Sequence, residues 1–110
     1  MTDKELLELA AKAAVLSVDD EFECDGGIMV YSDDVNPQCL WNPLTDDGDA
    51  LRLAVKLLLN VDVDYTDNTV RVFSGRHFGA LYSETYKDDR YAATRRAIVR
   101  AAAEIGKELK

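Results

Sequence analysis

Apolar positions first recur at Leu6, Leu9, Ala10 and Ala13, which is the one-face spacing of a helix, while Glu5, Glu8 and Lys12 fall outside the stripe. Thr2 and Glu5 stand three residues apart just ahead of it. That is the capping-box arrangement, in which the threonine hydroxyl accepts from an early amide and the glutamate reaches back. A helix is therefore predicted to start at Thr2 and to end near Val15. The pattern then breaks: Ser17 to Gly27 is acidic and closes in Asp25-Gly26-Gly27, a strong turn signal. Ile28 to Tyr31 is short and apolar enough for a strand. Asp33 to Pro43 reads as loop, holding Pro37, Pro43 and the single tryptophan, Trp41.

After Thr45-Asp46-Asp47-Gly48-Asp49 comes a leucine-rich segment, Ala50 to Leu59, apolar on more than half its circumference and so expected to be the most buried helix. Asn60 is expected to end it in the left-handed conformation that asparagine tolerates. Val61-Asp62-Val63-Asp64-Tyr65 alternates with the period of a half-buried strand. Thr66-Asp67-Asn68 supplies a turn, and Thr69 to Phe73 returns as the hairpin partner. Gly75 to Gly79 is a loop, and Ala80 to Tyr86 a third strand of the meander. A last helix starts at Asp88 or Asp89, either of which can cap it, and runs to the terminus. Its packing stripe is Tyr91, Ile98, Ala102, Ile105 and Leu109, with Arg96, Arg100 and Lys107 on the opposite side. The order α-β-α-β-β-β-α, with mostly short antiparallel connections, predicts an α+β class: a layered helix/sheet sandwich with about three helices.

The 110 residues suit one domain with one core. The most apolar stretch, Leu53 to Val61, is interrupted by Lys56 and Asn60 and falls short of the roughly 18 residues a bilayer span needs. The first residues carry no secretory signal, so a cytoplasmic location is expected. Cys24 and Cys39 lie too far apart for a metal knuckle or a redox pair and are expected to be reduced thiols, with a disulfide left open. Charge alters the picture more. The net charge is −8, but Met1 to Asp49 holds 13 acidic against 2 basic residues, whereas Ala50 to Lys110 holds 8 acidic against 11 basic. A net of −11 is thus joined to a net of +3, and the molecule is expected to be electrically polar.

Two long segments carry a resemblance. One is Trp41-Asn42-Pro43-Leu44-Thr45-Asp46-Asp47-Gly48-Asp49-Ala50-Leu51-Arg52-Leu53-Ala54-Val55-Lys56-Leu57; the other is Tyr91-Ala92-Ala93-Thr94-Arg95-Arg96-Ala97-Ile98-Val99-Arg100-Ala101-Ala102-Ala103-Glu104-Ile105-Gly106. With these the chain resembles the small phage and prophage proteins of the phage ABA-sandwich domain family, over most of its length and least between Asp19 and Gln38. The resemblance implies a helix–sheet–helix sandwich and a phage or prophage origin. It implies no established activity, and so no catalytic residues carry over.

Each chemical candidate has a plainer reading beside it. Asp46, Asp47 and Asp49 could hold a hard cation, but their spacing is not that of an EF-hand, and carboxylates at a helix start cap its amides and complement its dipole. Capping outweighs metal, and neither a metal nor a cofactor is expected. The same carboxylates would repel a phosphate from that helix start. His77, in Ser74-Gly75-Arg76-His77, is the only histidine, yet it lacks the base, acid and oxyanion partners that a serine nucleophile at Ser74 would need. Trp41, Tyr31, Tyr82 and Tyr86 are read as packing residues before a recognition patch.

Arg95, Arg96 and Arg100, aided by Arg90 and Lys107, could touch phosphates, but a solvated face is the commoner use of such a pattern. The acidic set Asp19, Asp20, Glu21, Glu23, Asp25, Asp33 and Asp34 could compete with nucleic acid for a basic groove on another protein. The resulting expectation is a non-enzymatic phage or prophage accessory protein that binds a bacterial protein of basic surface through these acids. Its sharpest form inhibits a nucleic-acid-handling host system, a CRISPR-type defence included. The alternatives are direct nucleic-acid binding by Arg95, Arg96 and Arg100, and a small enzyme around His77 or the Asp46 cluster. Self-association is left open.

Overall fold

The computed structural model describes residues 2–14, 17–24, 27–31, 38–74 and 80–109. Its elements are α1 (Asp3–Ala13), β1 (Ser17–Cys24), β2 (Gly27–Tyr31), β3 (Gln38–Trp41), α2 (Asp47–Lys56), β4 (Leu59–Asp64), β5 (Thr69–Ser74), β6 (Ala80–Thr85) and α3 (Arg90–Glu108). The class is α+β in the expected helix and strand order, built on two three-stranded antiparallel sheets, β1-β2-β3 and β4-β5-β6. Two strands exceed the expectation. β1 lies in the acidic stretch read as a turn approach, and β3 lies in the stretch read as loop. Acidic residues and flanking prolines are poor strand signals, but pairing to the apolar β2 on both sides recruits them (Val18 opposite Val30, Ile28 opposite Trp41).

The helix starts follow the side-chain chemistry. The Thr2 hydroxyl accepts from the Glu5 amide at 3.2 Å, Asp46 from the Asp49 amide at 2.8 Å and Asp89 from the Ala92 amide at 3.0 Å, so each helix opens on a side-chain N-cap. α2 is displaced toward the N-terminus relative to the expected Ala50 to Leu59, because Asp46 caps it. It ends at Lys56, and the residue that turns left-handed is Leu58 (φ 55°), not Asn60. Asn60 instead pairs with Phe73 inside the hairpin, so the chain must reverse before the ladder begins. In the β4–β5 turn Asn68 does take positive φ, at 56°.

α3 is the structural axis, and α2 is not the most buried helix. α3 lies against α1, against β5 and β6, and against α2. Alanines make this possible: Ala93, Ala97, Ala101, Ala102 and Ala103 are buried together with Ile98 and Val99. The expected five-residue stripe is therefore too narrow on one side and too long at its ends, since Tyr91 and Leu109 are exposed. Small side chains bring the helices close. At Gly106 an added Cβ would stand 2.1 Å from the Leu9 carbonyl oxygen of α1. On the other flank Val70 and Val72 of β5 are fully buried, and they share the core with Leu6, Leu7, Trp41 and Leu53.

Candidate interaction surfaces

The segment from Trp41 to Lys56 forms one latch. Trp41 is buried, the Asn42 side chain accepts from the Leu44 amide at 3.0 Å, and the Asn42 carbonyl accepts from the Asp46 amide at 2.9 Å. Asp49, only 3% exposed, accepts from the Asn42 amide at 3.1 Å and from the Arg52 guanidinium at 2.7 Å. A carboxylate leaves water at this cost only when such partners replace its hydration. Asp47 pairs with Arg95 at 2.6 Å, and the Arg95 Nε donates to the Leu44 carbonyl at 2.9 Å. Of the three carboxylates, Asp46 caps the helix start as the capping reading expected, whereas Asp47 ties the helix to α3 and Asp49 ties it to the preceding loop and to Arg52.

The tail helix does not present its arginines as one free row. Arg95 is held as described, Arg96 lies 3.6 Å from Asp3, and the Arg100 guanidinium stands 5.2 Å from the centre of the Tyr82 ring, at cation–π range. The structure pairs Arg95 with α2, Arg96 with Asp3 of α1 and Arg100 with Tyr82 of β6, Arg96 and Arg100 sharing one side of the helix and Arg95 lying on another. Burial raises the Tyr82 phenol above its ordinary pKa, with a Glu84 hydrogen bond acting the same way. Trp41 packs in the core, and Tyr82 and Tyr86 pack against it. The side chains of Asp19, Asp20, Glu21 and Glu23, together with Asp25, Asp33, Asp34, Tyr31 and His77, lie outside the described residues, as do the Cys24 and Cys39 thiols. The backbone carries Asp19 to Glu23 along β1, with a register shift between Asp19 and Glu23. Ser74 is the buried last residue of β5.

The β4–β5 hairpin has its own charge cluster. Asp64 accepts from the Thr66 hydroxyl at 2.6 Å and the Thr66 amide at 2.8 Å, while Arg71 reaches both Asp64 and Asp67. Chiefly through the Thr66 hydrogen bonds, the Asp64 carboxyl is held below its ordinary pKa. The Tyr86 hydroxyl donates to the Asp64 carbonyl at 3.1 Å and so ties the hairpin to the end of β6.

Sequence reasoning missed a groove of about 370 Å³ between α2, β4 and the start of α3. Ala50, Leu51 and Ala54 line it from α2, Val61 and Val63 from β4, and Tyr91 and Ile98 from α3, with Arg90, Asp47 and Arg95 at the rim. The alternation in β4 is what could have signalled it. Its valines face the helix side of the sheet, opposite Val72 and Val70, but α2 and α3 leave them partly open. Among the described residues no helix is long and apolar enough to cross a membrane. No family model, curated protein or solved structure matches the chain.

Proposed function

We propose that this chain is a non-enzymatic phage or prophage accessory protein, acting in the bacterial cytoplasm by binding a bacterial protein through Asp19, Asp20, Glu21, Glu23, Asp25, Asp33 and Asp34. The partner carries a basic surface, and the sharpest form of the reading is inhibition of a nucleic-acid-handling or CRISPR-type defence system. The observation that carries it is the disposition of the tail-helix cations. Arg95 is engaged by Asp47, Arg96 by Asp3 and Arg100 by the Tyr82 ring, so these arginines are occupied by groups other than the acidic run. Asp3 and Asp47 are spent on those arginines and Asp46 and Asp49 face Arg52, so the part of the −11 over Met1 to Asp49 that can act outward is carried by the other acids, the acidic run foremost, which would speed encounter with a basic partner and select it. Binding rather than catalysis is also favoured because the Asp46, Asp47 and Asp49 carboxylates serve as cap, ion-pair partner and latch.

The test is capture from bacterial lysate at low and high salt. Basic proteins should be retained at low salt and released as salt rises, and the variant Asp19→Asn, Asp20→Asn, Glu21→Gln, Glu23→Gln should retain them at least tenfold less. Equal retention by that variant, or no basic partner at any salt, sinks the reading. A gel shift on DNA and RNA addresses the alternative, which requires salt-sensitive binding that disappears on Arg96→Glu with Arg100→Glu.

A further inference from the structure

The groove leaves open an apolar strip that binding through the acidic run does not use. Leu51 (63% exposed) of α2, Val61 and Val63 of β4 and Tyr91 (65% exposed) of α3 line the groove, and Val55 (64% exposed), one turn from Leu51, and Leu58 (80% exposed), just ahead of β4, add open apolar surface outside its lining. Their open surface is on the order of 600 Å², at the upper end of what an isolated domain keeps and most of the ~800 Å² that each partner gives to a standard interface. The order β4-β5-β6 puts β4 at the sheet edge, with no strand on its outer side among the described residues. Such an edge presents unpaired backbone donors and acceptors to any strand that fits.

We propose that a second copy of this chain covers the strip, with β4 pairing antiparallel to β4 about a two-fold axis at Val61. The strand's alternation and charges narrow the choice, and the axis at Val61 pairs more of β4 than one at Asn60, which would pair only Leu59 to Val61. Only registers that oppose residues of the same parity keep both apolar faces on one side of the joined sheet. Among these, an axis at Asp62 sets Asp62 against itself, and an axis at Val63 sets Asp62 against Asp64, both like-charge pairs that destabilise. An axis at Val61 sets Val61 against Val61, Leu59 against Val63, and the Asn60 amide against the other copy's Asp62. Within the pairs Leu59 to Val63 every apolar side chain then meets an apolar one and Asp62 meets a donor, while Asp64 stands opposite Leu58, just beyond the strand, and keeps its own partners Thr66 and Arg71. The contact is self-complementary and closed, as a two-fold interface must be. The two α2 flanks come to the same side of the joined sheet, where Leu51 and Val55 of each copy can be covered.

Net charge opposes this association, since each copy carries −8. Screening should therefore tighten the dimer, the reverse of the salt response expected for a basic partner at the acidic run. Sedimentation velocity across roughly 1–500 µM brackets micromolar affinity. The mass should rise from 12.2 kDa toward twice that value, at lower concentration when salt is high. Leu51→Lys with Val61→Lys should leave a monomer of unchanged circular dichroism. Asn60→Asp should weaken the dimer about tenfold by opposing two carboxylates, an effect that salt partly reverses. Because Asn60 lies on the exposed face of β4, that variant decides the matter even if the lysine variant loses its fold. Amide exchange at Leu59–Asp64 should slow with protein concentration. A mass of 12.2 kDa throughout, or a dimer indifferent to Asn60→Asp with β4 amides unprotected, overturns the proposal.

Discussion

Gly106 and Gly48 show how one residue type can serve opposite purposes in two helices. At Gly106 the close approach of α1 leaves no room, since a Cβ would meet the Leu9 carbonyl oxygen at 2.1 Å, an atom of rigid backbone. At Gly48 the nearest atoms are the Asp46 carboxylate at 3.2 Å and the ends of the Arg52 guanidinium at 3.3 Å, all on side chains that can shift. Alanine is worth about 1 kcal/mol over glycine in a helix interior, but overpacking costs roughly 1–3 kcal/mol. Gly106→Ala should therefore lower stability by about 1–2 kcal/mol in denaturant titration, and Gly48→Ala should leave it unchanged or raise it by about 0.5 kcal/mol. An equal response at the two sites would contradict the close α1–α3 contact. Only the fold shows the close approach at Gly106, because the Leu9 carbonyl that fills its Cβ position comes from a segment far away in the chain.

Within the β4–β5 hairpin, the acid Asp64 is built into the turn. Its pKa is lowered mainly by Thr66 and secondarily by Arg71, which makes the turn's stability depend on pH. A carboxyl whose folded pKa is depressed contributes stability that is fully present above its unfolded value, near 3.9, and is lost as pH falls through the lower folded value. Protection of the hairpin amides, taken relative to their intrinsic exchange rates, should accordingly fall as the pH drops below about 4. Asp64→Asn should flatten that dependence, and a wild-type profile unchanged by the substitution would remove Asp64 from the account. The turn itself was legible from Thr66-Asp67-Asn68 and the flanking alternation. The strand β1 was not, because a run such as Asp19-Asp20-Glu21 gains a strand conformation only from the ladder offered by β2. Leu58 in the left-handed region is another case of tertiary demand overriding local preference, since the ladder starting at Leu59 requires the chain to reverse there whatever residue is present.

Across the molecule, Arg95 joins parts distant in sequence, the Leu44 carbonyl and the Asp47 carboxylate of the latch on one side and α3 on the other. Its side chain is largely covered, so its packing and hydrogen bonds are both lost on truncation. Arg95→Ala should destabilise the whole fold by roughly 1–2 kcal/mol in a cooperative melt, whereas Lys107→Ala, at an exposed pair with Glu104, should change it by no more than about 0.5 kcal/mol. This also explains why the two segments that carried the phage-like resemblance contain charges that looked like chemistry. Asp47, Asp49 and Arg95 connect those segments to each other and to the loop before α2.

The sequence by itself determined the α+β class, the order of the helices and of the strands it foresaw, the starts of α1 and α3 and the β4–β5 hairpin, because caps, turns and periodicity act over a few residues and leave their mark locally. It also determined the lopsided charge, which is a matter of composition. Tertiary structure alone decided that α3 and not α2 is the buried axis, that the arginines of one helix point to three different partners, and that Leu51, Val61 and Tyr91 share one open groove. Those outcomes depend on which surfaces meet across long stretches of chain, and a side chain's exposure is set by neighbours that its own segment does not encode.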